Sequence, residues 1–174
     1  MDVTETKLAG VLLIKPKVWG DNRGFFKEIF QLENYQKVGV HLPFVQDNVS
    51  RSCKGVIRGL HYQANFPQGK LVSCSRGTIV DVVVDIDPKS SSYLQHIMVE
   101  LSEDNHNQLY IPPGYAHGFC VLSDVADFHY KCTELYHSED EFGLRFDDPA
   151  LEINWPVTTP LVSDKDLNWP LLGK

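Results

Sequence analysis

The sequence predicts an all-β fold, an antiparallel barrel or jelly roll. Three observations carry that prediction. Short segments alternate apolar and polar residues, the period of a half-buried strand. Turn signals separate them at spacings near ten residues. Helical patterning is confined to one short stretch and a proline-rich tail.

The elements follow in order. "GFFKEIF" and "FVQDNVS" are short runs rich in aromatic and β-branched residues, which suit a pleated surface. Between them, "QLENYQKVGV" predicts two helical turns ending at Gly39, where glycine suits a C-cap. "GVIRGLHYQANFPQGKLVS" reads as two strands and a turn, continuing through "GKLVSCS" to the turn "SRG". "TIVDVVVDID" puts Val80, Val82, Val84 and Ile86 on one face and Ile79, Asp81, Val83 and Asp85 on the other. After "DPKSS", the run "YLQHIMVEL" sets Gln95, Ile97, Val99 and Leu101 opposite Leu94, His96, Met98 and Glu100. "SEDNHN" turns into "NQLYIPPG", and "ADFHYKCTELY" is the last long run. The segment after Trp155 is expected to cover the barrel as loop or short helix. No repeat or linker interrupts the chain. Residues 1–174 therefore read as one domain, with a jelly-roll core over roughly 40–137 and terminal segments packed on it.

Composition narrows the function classes. With 43% hydrophobic and 22% charged residues, the chain matches a globular protein rather than a disordered one. Its longest apolar run is too short to cross a bilayer, so no membrane partner is expected. The polar, acidic "MDVTETKLAG" lacks the pattern of a secretory signal. Cys53, Cys74, Cys120 and Cys132 form no C-x-x-C pair and read as reduced thiols, which points to the cytoplasm. The net charge of −7 argues against nucleic acid, yet leaves room for one small anion in a cationic cleft.

Such a cleft is suggested by Arg58, His61 and Lys70, three basic side chains inside a stretch that otherwise reads as buried. Singly, each is better explained as a solvated sheet residue. Together, inside a barrel, they favour a cavity. Regular alternation sets Arg58 with Val56, Leu60 and Tyr62, and His61 with Ile57, Gly59 and Gln63. Only an irregularity, for which Gly59 is the natural host, puts Arg58 and His61 on one face. "PPGYAHGF" has the P-x-G-x-x-H pattern of the second cupin motif, a jelly-roll signature ending at His117. The H-x-H pair of a metal cupin is absent, and Lys70 stands where such a protein supplies an acid. An ammonium beside two imidazoles opposes cation binding, so no metal is expected.

"RGFF", "QDN", "KGVIRGLHYQ", "QGKLV", "IPPGYAHGF", "ADFHYKCTELY" and "SDKD" occur in the order and spacing of the nucleotide-sugar 3,5-epimerases, the dTDP-4-dehydrorhamnose 3,5-epimerase family. The resemblance runs from about Leu8 to about Leu172. It implies a cupin-like jelly-roll barrel with short flanking helices, no metal or nicotinamide cofactor, and a homodimer. The implied substrate is the nucleotide sugar dTDP-4-dehydro-6-deoxy-D-glucose, inverted at C3 and C5 through an enolate. By resemblance, His61 is the base and Tyr130 the proton donor. Lys70 steadies the enolate oxygen, and Asp166 holds the histidine, with Asp164 as the rival. Arg58 takes the diphosphate. Arg23, Glu28, Gln46, Asp47, Asn48, His117, Glu141 and Lys165 match the remaining ligand contacts, and some of these act across a dimer interface. Glu139 and Asp140 compete with Glu141. Three other readings stand beside this one: a single-centre epimerase for another 4-keto nucleotide sugar, a metal-dependent cupin enzyme, and a sugar-nucleotide binder without activity.

Overall fold

The alternating runs pair into two antiparallel sheets that face each other, a jelly roll, in the computed structural model, which describes residues 1–173. The strands are β1 (Asp2–Glu5), β2 (Leu12–Lys15), β3 (Val18–Asp21), β4 (Gly24–Lys27), β5 (Gln46–Cys53), β6 (Ile57–Gln63) and β7 (Lys70–Arg76). They continue with β8 (Thr78–Asp85), β9 (His96–Ser102), β10 (Gln108–Ile111), β11 (Tyr115–Val121), β12 (Val125–Cys132) and β13 (Glu141–Gly143). The two helices are α1 (Leu32–Gln36) and α2 (Asp164–Leu167). One sheet runs β1-β2-β10-β7-β12-β5, the other β13-β6-β11-β8-β9, and β3-β4 is a separate hairpin.

The fold needs apolar residues on more than one face of its strands, because each sheet is covered twice. Between the sheets, Val72, Cys74, Ile79, Val83, Leu101, Leu109, Phe119 and Phe128 form the main core. On the far side of the five-stranded sheet, Val82 and Val84 pack under Leu144, Leu151 and Trp155 of the C-terminal segment. On the far side of the six-stranded sheet, Leu12, Ile14, Leu71 and Tyr110 pack with Tyr35 of α1. This double coverage explains why "TIVDVVVDID" carries valine in both alternation sets. Fully burying one such side chain contributes about 1.5–3 kcal/mol.

Helix α1 is shorter than two full turns beyond its caps, and Gly39 follows it at φ +101°, a conformation that suits glycine. The sheets reach beyond residues 40–137. β2 lies inside the six-stranded sheet between β1 and β10, and β13 extends the other sheet beside β6. The tail after Trp155 returns to β6: Leu161 pairs with Val56 and leads into α2. That return places Ser163–Leu167 against the strand that carries Arg58 and His61.

Candidate active site

A cavity of about 320 Å³ opens between the two sheets at the end where β6, β7 and β12 converge. Its six-stranded wall follows from register. Lys70 lies opposite Cys132, and Val72 opposite Tyr130. Tyr130 lies opposite Asn48, and Cys132 opposite Gln46. Alternation therefore turns Lys70, Tyr130, Cys132, Gln46 and Asn48 to the same side, and all five line the cavity.

The opposing wall depends on a bulge. His117 pairs with His61 and Phe119 with Arg58. Two residues of β6, Gly59 and Leu60, thus face the single residue Gly118 of β11. The extra residue shifts the alternation by one, so Arg58 and His61 both reach the cavity. Gly59 is required there. Its φ is +119°, and a Cβ would stand 2.6 Å from the Gly118 Cα and 2.7 Å from the His117 carbonyl oxygen.

His61 is held at one end of its ring. Its Nε2–H donates to Asp166 Oδ1 at 2.6 Å, leaving the Nδ1 lone pair directed elsewhere. Asp166 also accepts from the Gly59 N–H at 3.3 Å. Burial pushes the Asp166 carboxyl up, but the bonds from His61, Gly59 and Ser163 outweigh it and hold the pKa below the usual range. Asp164, the alternative partner, is the first residue of α2 and gives its carbonyl to the helix end. Nδ1 lies 3.6 Å from Glu141 Oε1, too far for a hydrogen bond, so its lone pair is free. Trp169 stands edge-on behind the imidazole at 6.5 Å. It fits because residue 143 is glycine: a Cβ there would lie 2.4 Å from the indole nitrogen.

Glu141 reaches the cavity because β13 pairs with β6, Glu141 opposite Gln63. Its Oε2 accepts from Tyr136 Oη and Lys165 Nζ. Burial raises the Glu141 pKa, but the bonds from Lys165 and Tyr136 dominate and keep it lowered. Its competitors are otherwise engaged. Asp140 is buried and accepts from the backbone and side chain of Asn65 and from the Phe66 N–H. Glu139 is exposed beside His137.

Electrostatics distinguish the two walls. Lys70 is buried, and desolvation lowers its pKa, against the opposing pull of Cys132, Asp81 and Glu141. Burial raises the Tyr130 pKa, with Cys132 and Glu141 adding to it and Arg58 opposing, so the phenol keeps its proton at neutral pH. His117 Nε2–H donates to Asp81 Oδ2 at 2.8 Å. Arg58 Nε–H donates to Ser52 Oγ at 3.0 Å, and Arg58 lines the cavity.

Of the residues expected from sequence, His61, Lys70, Tyr130, Gln46, Asn48, Arg58, His117 and Glu141 line this cavity. Asp166 and Lys165 stand directly behind it. Asp47 points the other way and pairs with Lys131 at 2.8 Å, as alternation along β5 requires. Arg23 and Glu28 lie elsewhere in this chain. Arg23 is exposed at the tip of the β3-β4 hairpin, paired with Asp21, and Glu28 accepts from Asn34. Two side chains were not assigned a role from sequence. Asp81 is fully buried against His117, and its signal was a carboxylate inside an apolar run. Tyr136 bonds Glu141, and nothing in the sequence separates it from a surface aromatic. Among the described residues, no group of three or more His, Cys, Asp or Glu side chains is arranged to hold a metal ion. Nor is any helix among them long and apolar enough to cross a membrane.

The chain is similar to known proteins along nearly its whole length. The family model described as dTDP-4-dehydrorhamnose 3,5-epimerase matches residues 5–174. The Shigella flexneri dTDP-4-dehydrorhamnose 3,5-epimerase is 49% identical over 170 residues, covering 97% of this chain and 94% of the relative. The Legionella pneumophila dTDP-6-deoxy-D-glucose-3,5-epimerase, solved with dTDP-4-keto-L-rhamnose, superposes with a TM-score of 0.95 at 48% identity, covering 98% of this chain and 92% of the other. The Bacillus anthracis dTDP-4-dehydrorhamnose 3,5-epimerase, solved with TDP and pyrophosphate, gives 0.96 at 44% identity, covering 98% and 99%.

Proposed function

The chain belongs to the dTDP-4-dehydrorhamnose 3,5-epimerase family and is an isomerase, and we propose that it inverts C3 and C5 of dTDP-4-dehydro-6-deoxy-D-glucose, giving dTDP-4-dehydro-L-rhamnose. One observation supports this most: the imidazole of His61 and the phenol of Tyr130 come from opposite sheets and face one cavity, with the Lys70 ammonium on its wall. Inversion next to a ketone needs that geometry. A base removes the acidic hydrogen from one face, and an acid returns a proton to the other.

In this reading His61 Nδ1 takes the proton. Asp166 keeps the other nitrogen protonated and stabilises the imidazolium that forms. Negative charge then develops on the C4 oxygen, where Lys70 attracts it. Removing such a group typically costs about 10²–10³ in rate. Tyr130 delivers its proton from the opposite face. Hydrogen leaves and returns as a proton, so no electron acceptor takes part. Arg58 binds the diphosphate through its planar guanidinium. Gln46, Asn48, His117, Glu141 and Lys165 contact the rest of the ligand.

Arg23 and Glu28 reach a ligand from a neighbouring subunit. The hairpin that carries Arg23 also exposes Trp19, Phe25 and Phe26, an apolar surface of the kind covered by association. The protein is therefore a homodimer acting on a small nucleotide sugar, and its four free thiols suit the cytoplasm. Incubation with the 4-keto sugar nucleotide in D₂O, followed by proton NMR, tests the reaction. Deuterium is expected at C3 and C5. Label at one carbon only would reduce the activity to a single inversion, and label at neither would remove it. Light scattering of the purified protein measures the assembly.

A further inference from the structure

Two inversions by one base pose a problem that one inversion does not. In the first, a carbon-bound hydrogen moves as a proton to His61 Nδ1, and the Tyr130 hydroxyl proton moves to the opposite face of that carbon. The enzyme is left with an imidazolium and a phenolate, the wrong states for a second inversion. The sugar still covers Nδ1. One proton must therefore leave His61 and one must return to Tyr130 before the next carbon can react.

Asp166 is a poor route out. It is 3% exposed, and its oxygens are occupied by His61 Nε2–H and the Gly59 N–H. Glu141 differs. Its Oε1 lies 3.6 Å from Nδ1, the nitrogen that collects the proton, and a shift of a few tenths of an ångström makes that a hydrogen bond. Its Oε2 is bonded to Tyr136 and Lys165, and both reach water: Tyr136 is 51% exposed and the Lys165 side chain 50%. The Glu141 side chain itself is only 10% exposed. A carboxylate thus bridges an imidazole that is 31% exposed in the free protein, and that the bound sugar covers, to two solvent-facing groups at the cavity mouth. Tyr130, on the facing wall, lies within electrostatic reach of both Glu141 and Tyr136.

Building on the epimerase reading above, we infer that Glu141, backed by Tyr136 and Lys165, is the exit through which His61 sheds the abstracted proton while the sugar remains bound. The proton passes from Nδ1 to Glu141 Oε1 and on to water at the mouth. An equal proton returns from water to the Tyr130 phenolate. Glu141, Tyr136 and Lys165 end as they began, and His61 and Tyr130 are both neutral again. No bond to carbon changes in this reset. Glu141 is a positioning and relay group, distinct from the base itself, and its role is felt at the second carbon more than at the first.

The test uses the full-length protein and the same keto sugar nucleotide in D₂O, reading the ratio of deuterium uptake at the slower carbon to that at the faster one. Glu141→Gln is expected to lower this ratio by about 100-fold, the low end of what a positioned proton-transfer group contributes. The ratio is taken within one sample, so partial folding leaves it unchanged. In Glu141→Ala, added formate is expected to restore it. A ratio equal to wild type in Glu141→Gln overturns the inference, as does parallel loss at both carbons that formate does not repair. If the wild type labels one carbon only, the double-inversion reading fails by itself. The exit is then read from deuterium washed into recovered substrate per product formed, which Glu141→Gln must lower. Label at neither carbon in the wild type defeats the epimerase reading, and the exit with it.

Discussion

Asp166→Asn isolates the contribution of one carboxylate to the histidine. The two oxygens of Asp166 accept from His61 Nε2–H at 2.6 Å and from the Gly59 N–H at 3.3 Å. An asparagine has one acceptor oxygen and cannot serve both. If the oxygen faces Gly59, its NH₂ meets Nε2 and forces the ring proton onto Nδ1, the nitrogen that must be free. If the oxygen faces Nε2, the NH₂ confronts the Gly59 N–H and leaves a buried donor unsatisfied, at about 1–3 kcal/mol. The useful tautomer is disfavoured by that amount. The charge-assisted bond that steadies the imidazolium also disappears, a further loss of roughly 1.5–3 kcal/mol. Together these correspond to a rate loss of roughly 10²–10⁴. Deuterium uptake at the faster carbon measures it directly, with a thermal melt and a dTDP titration on the same preparation. Uptake within about threefold of wild type, in a folded protein that binds dTDP, would refute the assignment of Asp166 as the group that sets the tautomer.

Four further outcomes are expected. His61→Ala abolishes label uptake at both carbons while dTDP still binds by calorimetry; loss of binding instead would make His61 a structural residue. Tyr130→Phe slows product formation more than it slows deuterium wash-in to substrate, because reprotonation is impaired more than abstraction, and equal losses would contradict that. Gly59→Ala loses roughly 2–5 kcal/mol in denaturant unfolding, combining positive-φ strain with overpacking against the backbone of β11. Asp140→Asn destabilises the protein at pH 7, and the difference from wild type narrows below about pH 4. The sign follows from Asp140: burial pushes its pKa up, but bonds from Phe66 and Asn65 prevail and hold it low. Its contribution is present above the unfolded value and is lost as pH falls through the folded one.

Strand positions were legible in the sequence because alternation is local. The runs read between Gly24 and Cys132 each contain their own signal, and the structure pairs them as antiparallel strands. β1, β2, β3, β11 and β13 were not read as strands: Asp2–Glu5 and Val18–Asp21 are mostly exposed, Leu12–Lys15 and Glu141–Gly143 are too short to display a period, and Tyr115–Val121 is buried on both faces. The site was legible only in part. Lys70, Tyr130, Gln46 and Asn48 share a face by register, which alternation conveys once the strands are paired. Arg58 and His61 share one only because Gly59 and Leu60 bulge against Gly118, and periodicity cannot say which way a bulge turns the side chains. Asp166 joins His61 across 105 residues, through a tail whose return to β6 is a tertiary fact. Asp47 matches the family motif, yet its parity on β5 sets it opposite to Gln46 and Asn48 and against Lys131.

Lys70 brings the two halves of the site together. Burial disfavours the Lys70 ammonium and lowers its pKa. Asp81, fully buried beside His117, offsets part of that lowering, although burial also pushes its own carboxyl above the usual carboxylate range. When a neutral ketone enters, little changes for Lys70. In the proposed reaction the C4 oxygen becomes an enolate, and an anion then faces a buried ammonium. The attraction is therefore greater for the charged intermediate than for the bound substrate, which is the condition for accelerating a step rather than merely tightening binding. Lys70→Met should then lower turnover by about 10²–10³ with a smaller change in KM. A rise in KM at unchanged turnover would mean that Lys70 holds the ligand and leaves the enolate to another group.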